Sequence, residues 1–317
     1  MPGPDVPAAD SANLTAVAMA SPSVGWASGF TLANSPQNAP SEPLLAAWNG
    51  HHWRAVPVGI GAAKGGRLDG LAVRSASDAW AVGAAFSAGQ EQPLAVHWNG
   101  RRWSLVPAAG VPGYRFARLL SVAARSASDA WAVGEEENSQ AVLRPLIEHW
   151  DGHRRRLTQA PDAGPQVALD GVAVTGSQAR AVGTPFLNSR RPVVLRWTGH
   201  AWVVAAAPEA SGDVALGGVT AVNSHDAWAV GTVTVAGGPY RSTPCTGMGA
   251  GGRQSGSATA APSAMTASSS RSRPSAAAGW PPSEPTRGRP EGGLCMACGT
   301  AGPGRSASGR SASTAPT

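Results

Sequence analysis

Two pieces of sequence decide the fold: "SASDAWAVG" at residues 75–83 and "HWNGRRW" at residues 97–103. The first piece returns unchanged at residues 126–134, and the second returns as "HWDGHRR" at residues 149–155. Comparison of the chain with itself extends this similarity to five copies with a period of about 50 residues, which is typical of repeat architectures. The predicted repeat units cover residues 14–61, 68–111, 119–163, 169–210 and, in part, 216–240.

Each copy has the pattern of four short strands. In the second copy these are "LDGLAV", "AWAVG", "PLAVHW" and "WSLVP", where apolar residues alternate with small or polar ones. An Asn-Gly or Asp-Gly pair often precedes the fourth strand, as in a hairpin turn whose central residues take positive φ. No stretch of useful length shows helical periodicity. The pattern predicts an all-β fold, a β-propeller with four-stranded blades of about 50 residues.

The predicted propeller occupies residues 13–240, after a disordered leader at residues 1–12 and before a low-complexity tail at residues 241–317. It is incomplete, with about four and a half blades, because the fifth copy loses the pattern after its second strand. An open ring leaves a blade face uncovered, and roughly 300 Å² of unburied apolar surface forgoes about 7 kcal/mol. We therefore predict that the chain as written is aggregation-prone or only partly folded.

Tryptophan recurs at matched positions of the copies, and 11 of the 12 tryptophans lie before residue 240. A single blade cannot bury its apolar surface alone, so flat side chains at fixed positions are expected to pack between neighbouring blades. A platform on which a ligand stacks is the alternative role. The predicted structural tryptophans are Trp26, Trp48, Trp53, Trp80, Trp98, Trp103, Trp131, Trp150, Trp197, Trp202 and Trp228.

The motifs "S-x-x-D-x-W-A-V-G" and "H-W-x-G-x-x-W" resemble the blades of bacterial tandem-repeat β-propellers. More distantly, they are similar to Asp-box propellers and to propeller-type photosystem assembly factors. The resemblance covers about residues 14–240, but the spacing from Asn99 to Trp103 is shorter than in an Asp-box. The resemblance implies the fold and little about function, because propellers include lectins, hydrolases, lyases and scaffolds.

The charge of the chain is unevenly distributed. The formal net charge is +6, yet residues 1–240 hold 17 basic and 17 acidic residues, so the whole excess lies in the tail. A basic surface for nucleic acid is therefore not predicted. All three cysteines (Cys245, Cys295 and Cys298) also lie in the tail, which excludes disulfides and thiol chemistry from the repeats. We predict no cofactor and no metal.

The start of the chain, "MPGPDVPAADSANLT", has neither a basic segment nor an apolar segment of the kind found in secretory signals. No apolar run is long enough for a membrane span. At face value these features predict a cytoplasmic protein. An upstream leader would make the protein extracellular instead.

The tail is rich in Ser, Ala, Gly, Pro and Arg, and its simplest interpretation is a disordered low-complexity segment. We favour another interpretation, a shifted reading frame of further blades. In the shifted frame, "TPCTGMGAGG" (243–252) can encode "PLHWDGRRW", and its tryptophan falls at the spacing from Trp228 that the other copies show. Arg155 and Arg180 stand where other copies have Trp, one base change away, and are consistent with a decaying gene.

Three adjacent acids, Glu135, Glu136 and Glu137, fall in the predicted variable loop between the second and third strands of the third copy. Such loops usually surround the ligand face of a propeller, so these acids are the ligand-site candidates; a solvated charge run is the alternative. His97 and His149 are interpreted as polar residues at strand ends rather than as metal ligands. Asp78, Asp129 and Asp226, which precede "AW", are expected to cap their own turns.

No catalytic pattern is recognisable in the repeats. They lack a Ser-His-Asp order, a glycine-rich phosphate loop and metal-ligand spacing. The sequence therefore predicts a non-catalytic binding or scaffold module for a protein or carbohydrate ligand. Two alternatives stay open: a glycan-active hydrolase or lyase, and a product without function.

Overall fold

The computed structural model describes residues 11–32, 41–87, 89–109, 113–164, 166–186, 192–207, 213–223, 226–234 and 298–299. All regular secondary structure in these residues is β-strand, arranged in five antiparallel sheets. The predicted all-β propeller fold is confirmed. The predicted tail lies almost entirely outside the described residues, as do residues 1–10 of the predicted leader, and the first strand begins at Ser11.

The strands follow one another in sequence order within each of the first four sheets. The first blade contains β1 (Ser11–Ser21), β2 (Val24–Leu32), β3 (Glu42–Trp48) and β4 (Trp53–Val56). The second contains β5 (Gly66–Ser75), β6 (Asp78–Ser87), β7 (Gln90–Trp98) and β8 (Trp103–Leu105). The third contains β9 (Tyr114–Ser126), β10 (Asp129–Asn138), β11 (Leu143–Trp150) and β12 (Arg155–Leu157). The fourth contains β13 (Val167–Thr175), β14 (Gln178–Pro185), β15 (Val193–Trp197) and β16 (Trp202–Val204).

The fifth blade is shorter in the described residues. It contains β17 (Asp213–Asn223), β18 (Asp226–Thr234) and the two-residue β19 (Cys298–Gly299). The third-strand position of this blade is held by β19, which pairs with Trp228 and Ala229 of β18. In the second blade the equivalent residues of β6, Trp80 and Ala81, pair with His97 and Val96 of a nine-residue strand.

The blades stack around a common centre through their first strands. β1 contacts β5, β5 contacts β9, β9 contacts β13, and β13 contacts β17. Four apolar clusters lie between successive blades, each formed by side chains from two sheets. Both faces of a second strand are therefore covered, which explains why "DAWAVG" is a continuous buried run rather than an alternating one.

The "L-D-G" segment of the first strands allows the blades to approach closely. The β5–β6 register shifts between Leu68 and Gly70, which marks a β-bulge, and the same shift recurs in β13. A Cβ atom added to Gly70 would lie 2.8 Å from Cα of Ser121 in the next blade. Glycine is required here because a larger residue would push the two innermost strands apart.

The "NG" turns differ from the predicted hairpin. Four residues separate Trp98 from Trp103, and of the Asn-Gly pair only Gly100 has positive φ, at 89°. The Asn99 side-chain oxygen instead accepts the backbone N–H groups of Arg101 and Arg102 at 3.0 and 3.1 Å. Side-chain oxygens of Asn, Asp and Thr can all accept backbone N–H groups in this way. Each of the three residue types therefore occurs at this position in at least one copy.

Candidate binding site at the loop end of the third blade

The three candidate acids lie in a strand, so their predicted placement in a variable loop was wrong. Glu135, Glu136 and Glu137 belong to β10 and pair in register with β9 on one side and β11 on the other. β10 extends this far because β9 and β11 continue alongside it. They reach the end of the blade that carries the loop between β10 and β11, which we call the loop end. The acids are thus held by two ladders of backbone hydrogen bonds, and their side chains alternate between the two faces of the sheet.

Two of the acids form ion pairs with arginines of β9. Glu135 is 1% exposed and forms a charge-assisted hydrogen bond with Arg118, its partner in register. Glu137 accepts a hydrogen bond from Nη1 of Arg115 at 2.9 Å, and this pair is more exposed than the first. Burial of Glu135 is tolerated because a guanidinium compensates its charge. The exposed pair leaves both groups accessible at the loop end.

Glu136 faces the opposite side of the sheet from Glu135 and Glu137. Burial raises the pKa of Glu136, and the charge of Arg144, which lies opposite in register on β11, acts in the other direction. Burial therefore favours the protonated form of the Glu136 carboxyl. Each face of the sheet therefore carries an acid and an arginine at this end of the third blade, Glu137 with Arg115 on one face and Glu136 beside Arg144 on the other.

A hydrogen-bonded clamp borders these charges. The Asn138 side chain accepts the backbone N–H of Gln140 at 3.0 Å and that of Val142 at 2.9 Å, which shapes the loop between β10 and β11. Gln166, just before β13, donates to the carbonyl of Ala141 at 3.3 Å and accepts from the N–H of Leu143 at 3.1 Å.

Ala141 and Gln166 are the only non-glycine residues with positive φ in the described part of the chain, at 59° and 56°. Such conformations cost free energy and are maintained only where the surroundings enforce them. The clamp therefore fixes the loop of the third blade to the entry of the fourth.

The opposite, tight-turn end of the blades carries a repeated polar network. Asp78 accepts hydrogen bonds from Nε2 of His97 at 2.9 Å and from Nε of Arg74 at 2.6 Å. The His97 ring also stacks on Trp80, with centroids 4.3 Å apart. The third blade repeats this arrangement with Arg125, Asp129, Trp131 and His149.

The turn-capping role expected for Asp78 and Asp129 is therefore wrong. The contacts of these two carboxylates are with Arg and His side chains. The turn is capped instead by the first serine of the motif, since the hydroxyl oxygen of Ser75 accepts the N–H of Ser77 at 3.2 Å. Ser126 does the same for Ser128 in the third blade. The residue of "S-x-x-D" that caps the turn is therefore the serine and not the aspartate.

A buried ion pair at the interface of the second and third blades was not predicted from the sequence. Arg155 occupies the position of Trp103 and is 6% exposed, and its Nη1 lies 3.0 Å from Oε2 of Glu148. The arginine also donates to the carbonyls of Pro107 at 2.9 Å and Pro93 at 3.3 Å in the second blade. Burial raises the pKa of Glu148 and lowers that of Arg155, while each charge opposes the shift of the other.

The signal for this pair was present in the repeat. Glu148 stands where the other copies have Ala46, Val96 and Leu195, and Arg155 stands where they have Trp. Two unusual residues in one copy, both at buried positions, indicate a paired exchange. In the fourth blade, Arg180 replaces the second-strand tryptophan. Burial lowers the pKa of Arg180, and the positive charge of Arg196 lowers it further.

The predicted structural tryptophans fall into two groups. Trp26, Trp80, Trp103, Trp131 and Trp202 are at most 8% exposed, whereas the others are partly exposed. Trp48, Trp98 and Trp150 each donate the indole N–H to a carbonyl of the adjacent turn at 2.9 to 3.0 Å. The ring centroids of Trp26 and of Trp98 in the next blade are 4.9 Å apart, and those of Trp131 and Trp197 are 4.8 Å apart.

Within the described ranges, no group of three His, Cys, Asp or Glu side chains converges as metal ligands would. The same part of the chain has no helix able to span a membrane.

Known structures share the architecture. The chain is similar to the Hadza microbial sialidase Hz136, with 10% identity and a TM-score of 0.52 over 71% of this chain and 53% of that one. It is also similar to the six-bladed fucose-binding lectin of Aleuria aurantia (13% identity, TM-score 0.48, 72% and 73% covered). A third similarity is to YCF48 solved with a bound peptide (14% identity, TM-score 0.42, 76% and 68% covered).

No known protein family and no curated protein matches the sequence. The chain spans about half the length of the sialidase. At these identities, the similarities establish the β-propeller fold alone.

Proposed function

We propose that this protein is a non-catalytic binding or scaffold module, and that it binds a protein or carbohydrate ligand at the loop end of the third blade. The observation that carries the proposal is an accessible pair of opposite charges on each face of this end of the sheet, Arg115 with Glu137 on one face and Arg144 beside Glu136 on the other, fixed on paired strands. Groups held by a rigid sheet lose little entropy on binding, so they suit selective recognition of hydroxyl, amide or charged groups.

The arrangement of carboxylates favours binding over hydrolysis. Glu135 and Glu137 are already paired with arginines. Glycoside hydrolysis usually needs two carboxyl groups on opposite sides of the scissile bond, one of them with a raised pKa. Glu136 has the raised pKa that a general acid needs, so a glycan-active hydrolase or lyase is the second candidate function.

An array of neutral and acidic oligosaccharides and of basic and acidic peptides tests the proposal, with mass spectrometry of each bound compound to detect cleavage. We expect at least one compound to bind without turnover. Glu136→Gln should weaken that binding by about tenfold or more, since it changes the hydrogen-bonding capacity of the site. Glu91→Gln, a carboxylate of the second blade, is the matched control and should leave binding unchanged.

Cleavage of a glycan, lost in Glu136→Gln, would establish the enzymatic alternative instead. Absence of binding across the array, or equal loss in the Glu91 control, would contradict the proposed site.

We further propose that the residues after 240 are translated from a shifted frame of additional blades of the same motif. The short β19 supports this, since two residues stand where the other blades have a third strand of five to nine. The Glu148–Arg155 pair limits the idea, because a compensated pair is not a sign of decay. Sequencing the locus decides: a shifted frame interrupted by stop codons, or lacking the "HW-x-G-x-x-W" motif, would refute it.

A further inference from the structure

Two interfaces between blades contain the same group of three indoles. Trp26 of the first blade lies 4.9 Å from both Trp98 and Trp103 of the second, tilted by 58° to one and nearly perpendicular to the other at 87°. Trp131 of the third blade lies 4.8 Å from Trp197 and 5.1 Å from Trp202 of the fourth, at 52° and 86°. In both cases a second-strand indole of one blade enters the angle between the two turn indoles of the next.

The first blade has the receiving half of this group without the inserted indole. Trp48 and Trp53 lie 5.3 Å apart at 44°, close to the 5.9 Å and 43° of Trp98 and Trp103. Trp53 is partly exposed, whereas its equivalents Trp103 and Trp202 are 8% and 3% exposed. No other described aromatic ring contacts this pair, which we call the Trp48–Trp53 cradle.

The face around the cradle is apolar and exposed. Leu14 and Val17 of β1 are 45% and 41% exposed, and their equivalents in the second blade, Leu68 and Leu71, are 0% and 5% exposed. In the second blade these leucines lie in the cluster that receives Trp26 of the first blade. The first blade therefore presents the surface that receives a preceding blade.

The last blade presents the inserting half. Trp228 and Val230 of β18 are partly exposed, whereas their equivalents Trp80 and Val82 are 2% and 0% exposed. The buried part of Trp228 packs against the cluster between the fourth and fifth blades. In the part of the chain that the structure describes, β17 and β1 do not pack side by side as the other neighbouring first strands do. One chain thus carries both halves of its own repeated interface, at opposite ends of the arc of blades.

We propose that the Trp48–Trp53 cradle is a docking site for the last blade of a second copy of this chain, with Trp228 as the inserted indole. The occupant follows from the four internal interfaces, which join the same two kinds of face in the same order. The contact is heterologous, because different surfaces of the two copies meet, and it continues the arc from one chain into the next.

Sedimentation velocity of the full chain over a roughly hundredfold range of concentration tests this docking. We expect the mean mass to rise with concentration. Leu14→Glu places a charge in the contact at a position exposed in the single chain, and should weaken association by about tenfold or more. Phe186→Glu, at a side chain that is 49% exposed and lies outside both faces, is the matched control and should associate like the unaltered chain.

A mixing experiment distinguishes a second copy from other occupants. Leu14→Glu retains an intact inserting half, and Trp228→Ala retains an intact cradle. At a concentration near the dissociation constant of the unaltered chain, each variant alone should stay largely monomeric, and an equimolar mixture should form dimers and nothing larger.

Two results would overturn the proposal. One is an unaltered chain that remains a monomer throughout. The other is a thermal destabilisation of the monomer by both variants without change of mass, which would mean that the chain's own last blade closes onto its first.

Discussion

The third blade packs against its two neighbours by different chemistry. Towards the fourth blade, it inserts Trp131 between two indoles within a cluster of buried apolar side chains. Towards the second blade, it receives Trp80 with one indole, Trp150, at 5.6 Å, and the place of the other indole is taken by Arg155 with its partner Glu148. The same repeat therefore makes one interface with three indoles and one with a buried ion pair.

This difference shows what the repeat requires of an interface. The position after the turn must be filled by a large side chain that reaches the preceding blade, and Arg155 does so through the carbonyls of Pro107 and Pro93. A guanidinium at this depth needs a counter-charge, and the same blade supplies Glu148. The exchange of Trp for Arg is thus accompanied by a second exchange that makes it tolerable.

Among truncations of a side chain to alanine, the largest effect is expected from removing the inserted indoles. Trp131→Ala should lower the free energy of unfolding by about 4 kcal/mol, because a fully buried tryptophan leaves a large cavity. Trp80→Ala should cost about 1 kcal/mol less, since Trp80 has one indole partner and Trp131 has two. Urea unfolding followed by far-UV circular dichroism measures both. Equal losses would show that the second turn indole adds nothing to the interface.

A smaller effect is expected from the carboxylates that hold the stacked histidines. Asp78→Asn should cost about 2 kcal/mol, because the side chain of Asp78 is 6% exposed and holds both His97 and Arg74. Asp129→Asn should cost about half as much, since its side chain is 26% exposed and solvent screens its interactions. The same unfolding measurement compares them, and a larger loss for Asp129 would contradict this ranking by burial.

The smallest effect is expected at the turn that carries Arg155. Asp151→Asn should be neutral near pH 7, because Asn49 and Asn99 make the same backbone contacts in other blades. The N–H groups of Arg154 and His153, with the Arg156 side chain, hold the pKa of Asp151 well below its usual range. Its contribution is therefore complete above about pH 4, the ordinary range of an aspartate, and is lost as the pH falls towards the folded value.

Unfolding between pH 2 and pH 6 measures this difference. The unaltered protein should lose more stability on acidification than the Asn variant does. Identical acid profiles would contradict the assignment of the low pKa to this turn.

The repeat period and strand pattern sufficed to predict the fold. "AWAVG" and "PLAVHW" gave the right strands, because a repeated hydrophobic pattern is a local signal in every copy. The placement of Glu135 to Glu137 failed, since polar residues at a strand end resemble a loop when their arginine partners on the preceding strand are unknown. Arg118 and Arg115 lie 17 and 22 residues from these partners, and only the β9–β10 register brings them together.

The predicted contacts of the aspartates were wrong for a related reason. Asp78 was assigned to the turn beside it, whereas its partner His97 lies 19 residues away at the end of the third strand. The Glu148–Arg155 pair could have been predicted, because both residues depart from the repeat in the same copy. Position-by-position comparison of the copies therefore carries information that the motif alone does not.

A double-mutant cycle on Glu148 and Arg155 tests most directly whether neighbouring blades depend on a matched pair at this interface. The changes are Glu148→Val and Arg155→Trp, the residues of the second blade, and the measurement is the free energy of unfolding in urea. Each single change leaves one buried charge without its partner and should cost about 3 to 5 kcal/mol, whereas the double variant should be as stable as the unaltered protein or more so. Additive losses, with the double variant as unstable as the sum of the two, would contradict the account.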